Sequence, residues 1–158
     1  MAVLAVGDKA PHFTLPVDGG GTVRLTELQG KIVVLFFYPQ DDTAGCTAEA
    51  IDFTRLHGDF EKAGAIVIGV SPDSLKKHEK FKTKHGLAVP LAADEGRETI
   101  DAYGVWAEKT MFGRKYMGVV RSTFLIDRQG RIARIWRKVR VPGHAEEVLE
   151  AAKAMPPG

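Results

Sequence analysis

The sequence predicts one α/β domain, a central mixed sheet flanked by helices. Three observations lead there. The chain has 158 residues, 44% apolar and 27% charged, the size and balance of a single soluble domain with its own core, so the domain is taken to span 1–158. Two apolar runs, Ile32–Phe37 and Ala65–Val70, are each followed by a segment of helical period. That alternation implies right-handed crossovers between parallel strands. Near the end, Ser122–Asp127 and Ile132–Val139 are separated only by a turn at Arg128-Gln129-Gly130. The hairpin they form adds antiparallel strands and makes the sheet mixed.

Ala10–Leu15 reads as a short edge segment limited by Pro11 and Pro16. Asp18-Gly19-Gly20-Gly21 is a turn and Thr22–Leu25 its return, an N-terminal hairpin extension. Thr26-Glu27-Leu28 makes a single helical turn before Gly30. Ile32–Phe37 is apolar throughout, as in a strand buried on both faces, and Pro39 ends it. A helix is expected from Gly45 to Lys62, with Ala50, Phe53, Leu56 and Phe60 on one face. After Ala65–Val70, Ser71-Pro72-Asp73-Ser74 caps a helix running to Lys84. Ala88–Leu91 is extended, and Asp94 opens a helix to Tyr103. Glu108–Gly118 reads as a loop that covers the site or, through apolar side chains near Phe112–Met117, supports a dimer. Pro142 and Gly143 precede a closing helix, His144–Lys153, and Met155–Gly158 is a frayed tail. Trp106 and Trp136 read as packing residues. This order resembles the thioredoxin fold with an N-terminal hairpin extension and a helical insertion.

Bulk properties exclude several classes. A net charge of +2 is too mild for a nucleic-acid binder. The basic stretch Arg128, Arg131, Arg134, Arg137, Lys138, Arg140 reads as a solvated strand face plus turn, still able to steer an anionic partner. No run reaches membrane-spanning length, and Met1–Pro11, interrupted by Gly7, Asp8 and Lys9, lacks the apolar core of a signal peptide. The five histidines (His12, His57, His78, His85, His144) show no tight metal spacing. The single cysteine excludes an internal disulfide or a Cys-rich zinc site. Neither metal nor cofactor is expected, and a cytoplasmic location suits a free thiol.

That cysteine, Cys46, falls at a strand-to-helix junction, in the first turn of the helix. The positive end of a helix favours the thiolate. A free thiol with a pKa near 8.5 is only about 3% ionised at neutral pH. A downward shift of about 2.5 units gives roughly thirty times more thiolate. Nucleophilicity falls with pKa, however, so the net gain is only a few-fold. A fast reaction therefore needs groups that stabilise the transition state. Thr43, three residues earlier, can act as N-cap and offers a hydroxyl. Gly45 lets the backbone come close, and the N–H groups of Gly45 and Cys46 can face an incoming oxygen. A fixed cation must come from a neighbouring strand, and Arg121, at the head of Ser122–Asp127, is the best placed.

The pattern Pro39-x-x-x-Thr43-x-x-Cys46, with Tyr38 before it and Glu49 after it, resembles the peroxiredoxin active-site motif. The longer run Tyr38–Glu49 is similar to the bacterioferritin-comigratory (Q-type) subfamily. Gly7–Phe13, Val70–Asp73, Arg121–Asp127 and Gly143–Leu149 extend the likeness over nearly the whole chain. The resemblance implies a thiol peroxidase for hydrogen peroxide and organic hydroperoxides, with Cys46 attacking the peroxide and becoming a sulfenic acid. It implies that Thr43 binds the peroxide and that Arg121 stabilises the thiolate and the polarised O–O bond. Pro39 would shield the pocket, and Glu49 would orient the arginine. Tyr38 is divided between packing and function.

The chain departs from the subfamily pattern at two positions. Ala44 replaces a usual proline, and Ile51 stands where many members carry a resolving cysteine. In a regular helix, residues five apart lie about 7.5 Å along the axis and about 140° around it, so a disulfide there demands unwinding. With Ile51 the helix can be more rigid, and an external thiol must do the resolving. Thioredoxin, glutaredoxin with glutathione, or another small thiol would serve, in a monomer or weak homodimer. A redox sensor that alters partner binding is the rival reading. A disulfide oxidoreductase fails because Thr43 fills the place of the first cysteine of a Cys-x-x-Cys pair.

Overall fold

The apolar run Ile32–Phe37 lies at the centre of the main sheet with all six side chains buried. The computed structural model describes residues 3–156. Met1 and Ala2 from the leader reading, and Pro157 and Gly158 from the frayed-tail reading, lie outside the described residues. In chain order the elements are β1 (Thr14–Pro16), β2 (Thr22–Arg24), a 3-10 turn at Leu25–Leu28, β3 (Ile32–Phe37), α1 (Ala44–Arg55), α2 (His57–Lys62), β4 (Ala65–Ser71) and α3 (Leu75–His85). Then follow β5 (Leu91–Ala93), α4 (Glu98–Ala102), β6 (Trp106–Met111), β7 (Arg114–Val119), β8 (Ser122–Ile126), β9 (Ile132–Arg137) and α5 (His144–Lys153).

The five-stranded sheet has the order β5-β4-β3-β8-β9, with β1-β2 and β6-β7 as separate two-stranded ribbons. β3 pairs parallel with β4 and antiparallel with β8, so the sheet is mixed. Alternation along β3 divides the core. Ile32, Val34 and Phe36 face Phe53 of α1, Phe60 of α2 and Val148 of α5. Val33, Leu35 and Phe37 face Phe13, Ile100 and Tyr103. Burying each such aromatic is worth about 2–3 kcal/mol. Gly69 of β4 makes room for one of them, since a Cβ there would lie 2.7 Å from Cζ of Phe36.

The N-terminal hairpin, the central strands, the Ser74-capped helix and the closing helix form as the sequence predicts. Four expectations change. The expected helix Gly45–Lys62 is interrupted at Leu56 (φ −96°, ψ 5°), which turns inward to the core just before Gly58. The extended piece Ala88–Leu91 becomes a strand only from Leu91, because Pro90 has no N–H to give the ladder and its carbonyl accepts from Gly69. The helix expected from Asp94 forms only at Glu98–Ala102. Arg97 is left-handed (φ 61°), and the Asp94 carboxylate reaches across the turn to the Ile100 N–H (2.7 Å). The loop Glu108–Gly118 is instead the β6-β7 hairpin. Its two-residue turn, Phe112-Gly113, has both φ values positive (51° and 76°), the type I′ form that suits strand twist. That turn favours Asn-Gly, so the Phe112 position, 98% exposed here, carried no hairpin signal.

Candidate active site

α1 follows the loop that leaves β3, and Cys46 is its third residue. The first intrahelical bond runs from Thr47 N–H to Thr43 C=O (2.8 Å), which leaves the N–H groups of residues 44–46 without helix partners. Phe37 pairs with Ser122 across β3 and β8, so Arg121 emerges beside the same loop. One arm of its guanidinium, Nη2, donates to Cys46 Sγ at 3.2 Å, and the other, Nη1, donates to Glu49 Oε1 at 2.8 Å. Cys46 and Glu49 lie one turn apart on α1, a spacing that fits the guanidinium fork. Burial pulls the Arg121 pKa down. Glu49 and the Cys46 sulfur outweigh burial, and the pKa is raised. Gly45 permits the approach, because a Cβ there would stand 3.1 Å from Nη2 and push the guanidinium back.

Thr43 occupies the N-cap position, but its hydroxyl does not cap the helix. It donates to the Gln40 carbonyl at 2.9 Å, which commits the hydrogen and leaves the oxygen free to accept. Pro39 is half-buried where the chain leaves β3. Ile51 is 42% exposed whereas Cys46 is 1% exposed, so the two residues face opposite sides of α1.

Glu49 is 1% exposed, and its Oε2 has no partner among the described residues. Burial pushes its carboxyl up to about 7, against the pull of Arg121 and with a small push from Asp52. An unfolded glutamate titrates near 4.3. Between about pH 4.5 and 7 the native state thus holds a proton that the unfolded chain has released. Stability falls as pH rises through that window, by about 3 kcal/mol. His144, held down near 4 by burial and by the Arg121 charge, acts in the opposite sense: its stability is present above about 6.5 and lost as pH falls towards 4. Glu49→Gln should cancel only the first slope. Denaturant titrations at pH 5 and pH 8 are expected to show the variant gaining on the wild type by roughly 2–3 kcal/mol, and parallel stability curves would refute the assignment.

Tyr38 joins a buried network beneath the loop. Its hydroxyl donates to Asp41 Oδ1 at 2.6 Å, and burial first, then Asp41, raises its pKa well above the usual value. Asp41 Oδ2 is 2.6 Å from His78 Nδ1, and His78 Nε2 is 3.0 Å from the Ala92 carbonyl. The Asp41 N–H donates to Asp73 Oδ2 at 2.7 Å, as does the Ser71 hydroxyl. Asp41, Asp73 and His78 bring ligand-type atoms within 4.8 Å of one another. Those atoms are committed to each other, and the cluster ties the loop bearing Pro39 and Thr43 to α3 and β4. In the structure His78 joins Asp41 in the core and His85 meets Asp42 at the surface (2.9 Å).

Two further residues near Arg121 escaped the sequence reading. Lys109 of β6 donates to the Val119 carbonyl at 2.9 Å, and its pKa is lowered by burial and by the Arg121 charge. It lies on the hairpin that reads as a loop, so no strand pattern pointed its side chain anywhere. His144 Nε2 is 2.8 Å from the Thr123 hydroxyl, and only the tertiary pairing of α5 with β8 brings them together.

Residues 6–135 match the AhpC/TSA family. The chain is 49% identical to peroxiredoxin Bcp of Bacillus subtilis over 96% of this chain and 97% of that one. To peroxiredoxin Bcp of Escherichia coli it is 37% identical, over 97% and 98%. Among solved structures it is similar to Xylella fastidiosa PrxQ (TM-score 0.92, 40% identity, 98% of each chain). It is also similar to the Xanthomonas campestris bacterioferritin comigratory protein, a structure concerned with alkyl peroxide reduction (TM-score 0.85, 44% identity, 90% of each chain). With a thioredoxin-like architecture and one cysteine under an arginine, the chain belongs to the AhpC/TSA family and, within it, to the Bcp/PrxQ peroxiredoxins.

Proposed function

We propose that this peroxiredoxin, a thiol peroxidase by family, reduces hydrogen peroxide and organic hydroperoxides through a sulfenic acid on Cys46 that an external thiol resolves. The observation that carries the reading is the Arg121 guanidinium, one arm on Cys46 Sγ and the other on buried Glu49, in a chain with no second cysteine. In the first step the sulfur attacks the terminal oxygen of the hydroperoxide. An S–O bond forms, the O–O bond breaks, and the alkoxide or hydroxide leaves and takes a proton from water. Negative charge moves from sulfur to the leaving oxygen. Arg121 and the first-turn N–H groups of α1 are fixed donors along that path. The Thr43 oxygen accepts from the hydroperoxide O–H, because its own hydrogen is held by Gln40.

In the second step one thiol attacks the sulfenic sulfur and water leaves, and a second thiol releases Cys46 as a disulfide forms. Ile51 supports external resolution, since the usual partner position is filled by an unreactive side chain. The rival sensor reading differs in rate. Stopped-flow oxidation of Cys46 by hydrogen peroxide is expected to exceed that of free cysteine by at least about 10³-fold, given that each fixed donor is worth about 10²–10³. A rate equal to free cysteine would favour the sensor. Turnover with thioredoxin, glutaredoxin with glutathione, and small thiols, each as sole electron source, identifies the donor.

A further inference from the structure

A concave surface lies beside the strand that follows Arg121. β9 is an edge strand, and its end, with the loop into α5, forms a cleft of about 540 Å³ lined in part by Trp136, Arg137, Lys138, Arg140, His144 and Glu147. Glu147 is the single acid of the lining. Neither Lys138 nor Arg140 is held in an ion pair among the described residues, whereas the Arg137 guanidinium lies over the Phe124 ring (5.7 Å), on the face of β9 opposite to Trp136. The indole N–H of Trp136 is buried and also without a partner among those residues. The cleft is coupled to the site by backbone: Val139 N–H donates to the Arg121 carbonyl at 3.0 Å, and Arg137 pairs with Ser122. Unpaired cations around a concave surface attract an anion of comparable size, and cationic walls raise its local concentration.

The chemistry next door requires an incoming molecule of restricted shape. Cys46 is 1% exposed under a folded α1, and no cysteine elsewhere in the chain can relay electrons to it. A slim thiol demands less opening of such a site than a folded protein donor does. We propose that the Lys138/Arg140 cleft docks a small thiol carrying carboxylates, a peptide thiol of the glutathione type, and presents it to oxidised Cys46. The proposal rests on the peroxidase reading and names the reductant for it. The thiol sulfur forms an S–S bond with Cys46 while the sulfenic S–O bond breaks, and the hydroxyl leaves as water with the thiol proton. A second molecule of the thiol then displaces Cys46 as a free thiol and leaves as the symmetrical disulfide, so two thiols supply the two electrons.

The test separates the half-reactions. Cys46 is oxidised with one equivalent of hydrogen peroxide and mixed with glutathione, with its carboxylate-free diester or with reduced thioredoxin, and reduction of Cys46 is followed by mass spectrometry. Reduction by glutathione should fall at least about tenfold in Lys138→Ala/Arg140→Ala, and reduction by the diester should change less than about twofold. The single reversal Arg140→Glu, at an exposed position, should act in the same direction if the double variant folds poorly. In the wild type the advantage of glutathione should shrink as salt rises from about 0.02 to 0.5 M. Equal losses for glutathione and the diester, or none for either, overturn the proposal. So does a loss confined to reduction by thioredoxin, an outcome that assigns the cleft to a protein donor. Failure of the peroxidase reading would appear earlier, as slow oxidation of Cys46 by peroxide in the wild type.

Discussion

Cys46→Ser should end peroxide-dependent turnover with every reductant, a loss of at least about 10⁴-fold relative to the wild type. The hydroxyl that replaces the thiol is a poor nucleophile near neutral pH and has no oxidised state from which a thiol could regenerate it. No other sulfhydryl can take over, because the chain contains one cysteine. The variant should still fold, since serine is close in size and its oxygen can accept the Arg121 Nη2 hydrogen now directed at Sγ. Peroxide consumption in the presence of excess reductant, with circular dichroism as a control for folding, decides the matter. Sustained consumption by a folded Cys46→Ser protein would place the chemistry elsewhere.

Arg121→Ala is expected to slow oxidation of Cys46 by about 10²–10³-fold, the cost of removing one preorganised donor from a developing charge. It should also destabilise the fold, because Glu49 would stay buried with neither carboxylate oxygen paired. Losing one partner of a buried pair costs about 3–5 kcal/mol. The carboxyl reduces that cost by taking up a proton, since its pKa is raised to about 7 even with Arg121, the main influence lowering it, in place. Arg121→Lys separates charge from geometry. An ammonium keeps the charge but cannot reach sulfur and carboxylate at once with two parallel N–H donors. Its rate should fall between the wild type and the alanine variant. Rates for Arg121→Lys and Arg121→Ala that both match the wild type would show that the guanidinium contact with Cys46 is not used in the reaction.

Where one signal dominated, the sequence was sufficient. The apolar run at residues 32–37 specified a strand buried on both faces, and Ser74 marked a helix start that its side chain does cap, accepting from Lys77 N–H. Cys46, Gly45, Glu49 and Arg121 were legible because local chemistry and a chain-long resemblance agreed, and all four meet around one guanidinium. Thr43 was half legible: its position is that of a cap, but the direction of its hydroxyl depends on the loop carbonyl of Gln40. The Tyr38–Asp41–His78 network was not legible, since residues up to 40 apart meet only after α3 crosses the sheet. The β6-β7 hairpin was hidden because a phenylalanine occupies a turn position that sequence statistics give to asparagine.

The pairing of Phe37 with Ser122 sets a reading frame for the enzyme. The loop leading to the thiol-bearing helix and the arginine hang from neighbouring, oppositely directed strands, and they meet because both chains leave the sheet at the same rung. Strand geometry turns every side chain over at each step. A single-residue insertion within 32–37 or 122–126 would therefore do more than disturb packing: it would carry Arg121 to the wrong level or the opposite face, and sulfur and cation would part company. Length changes are better absorbed at the solvent-facing turns, such as Gly19-Gly20, where no catalytic group depends on the count.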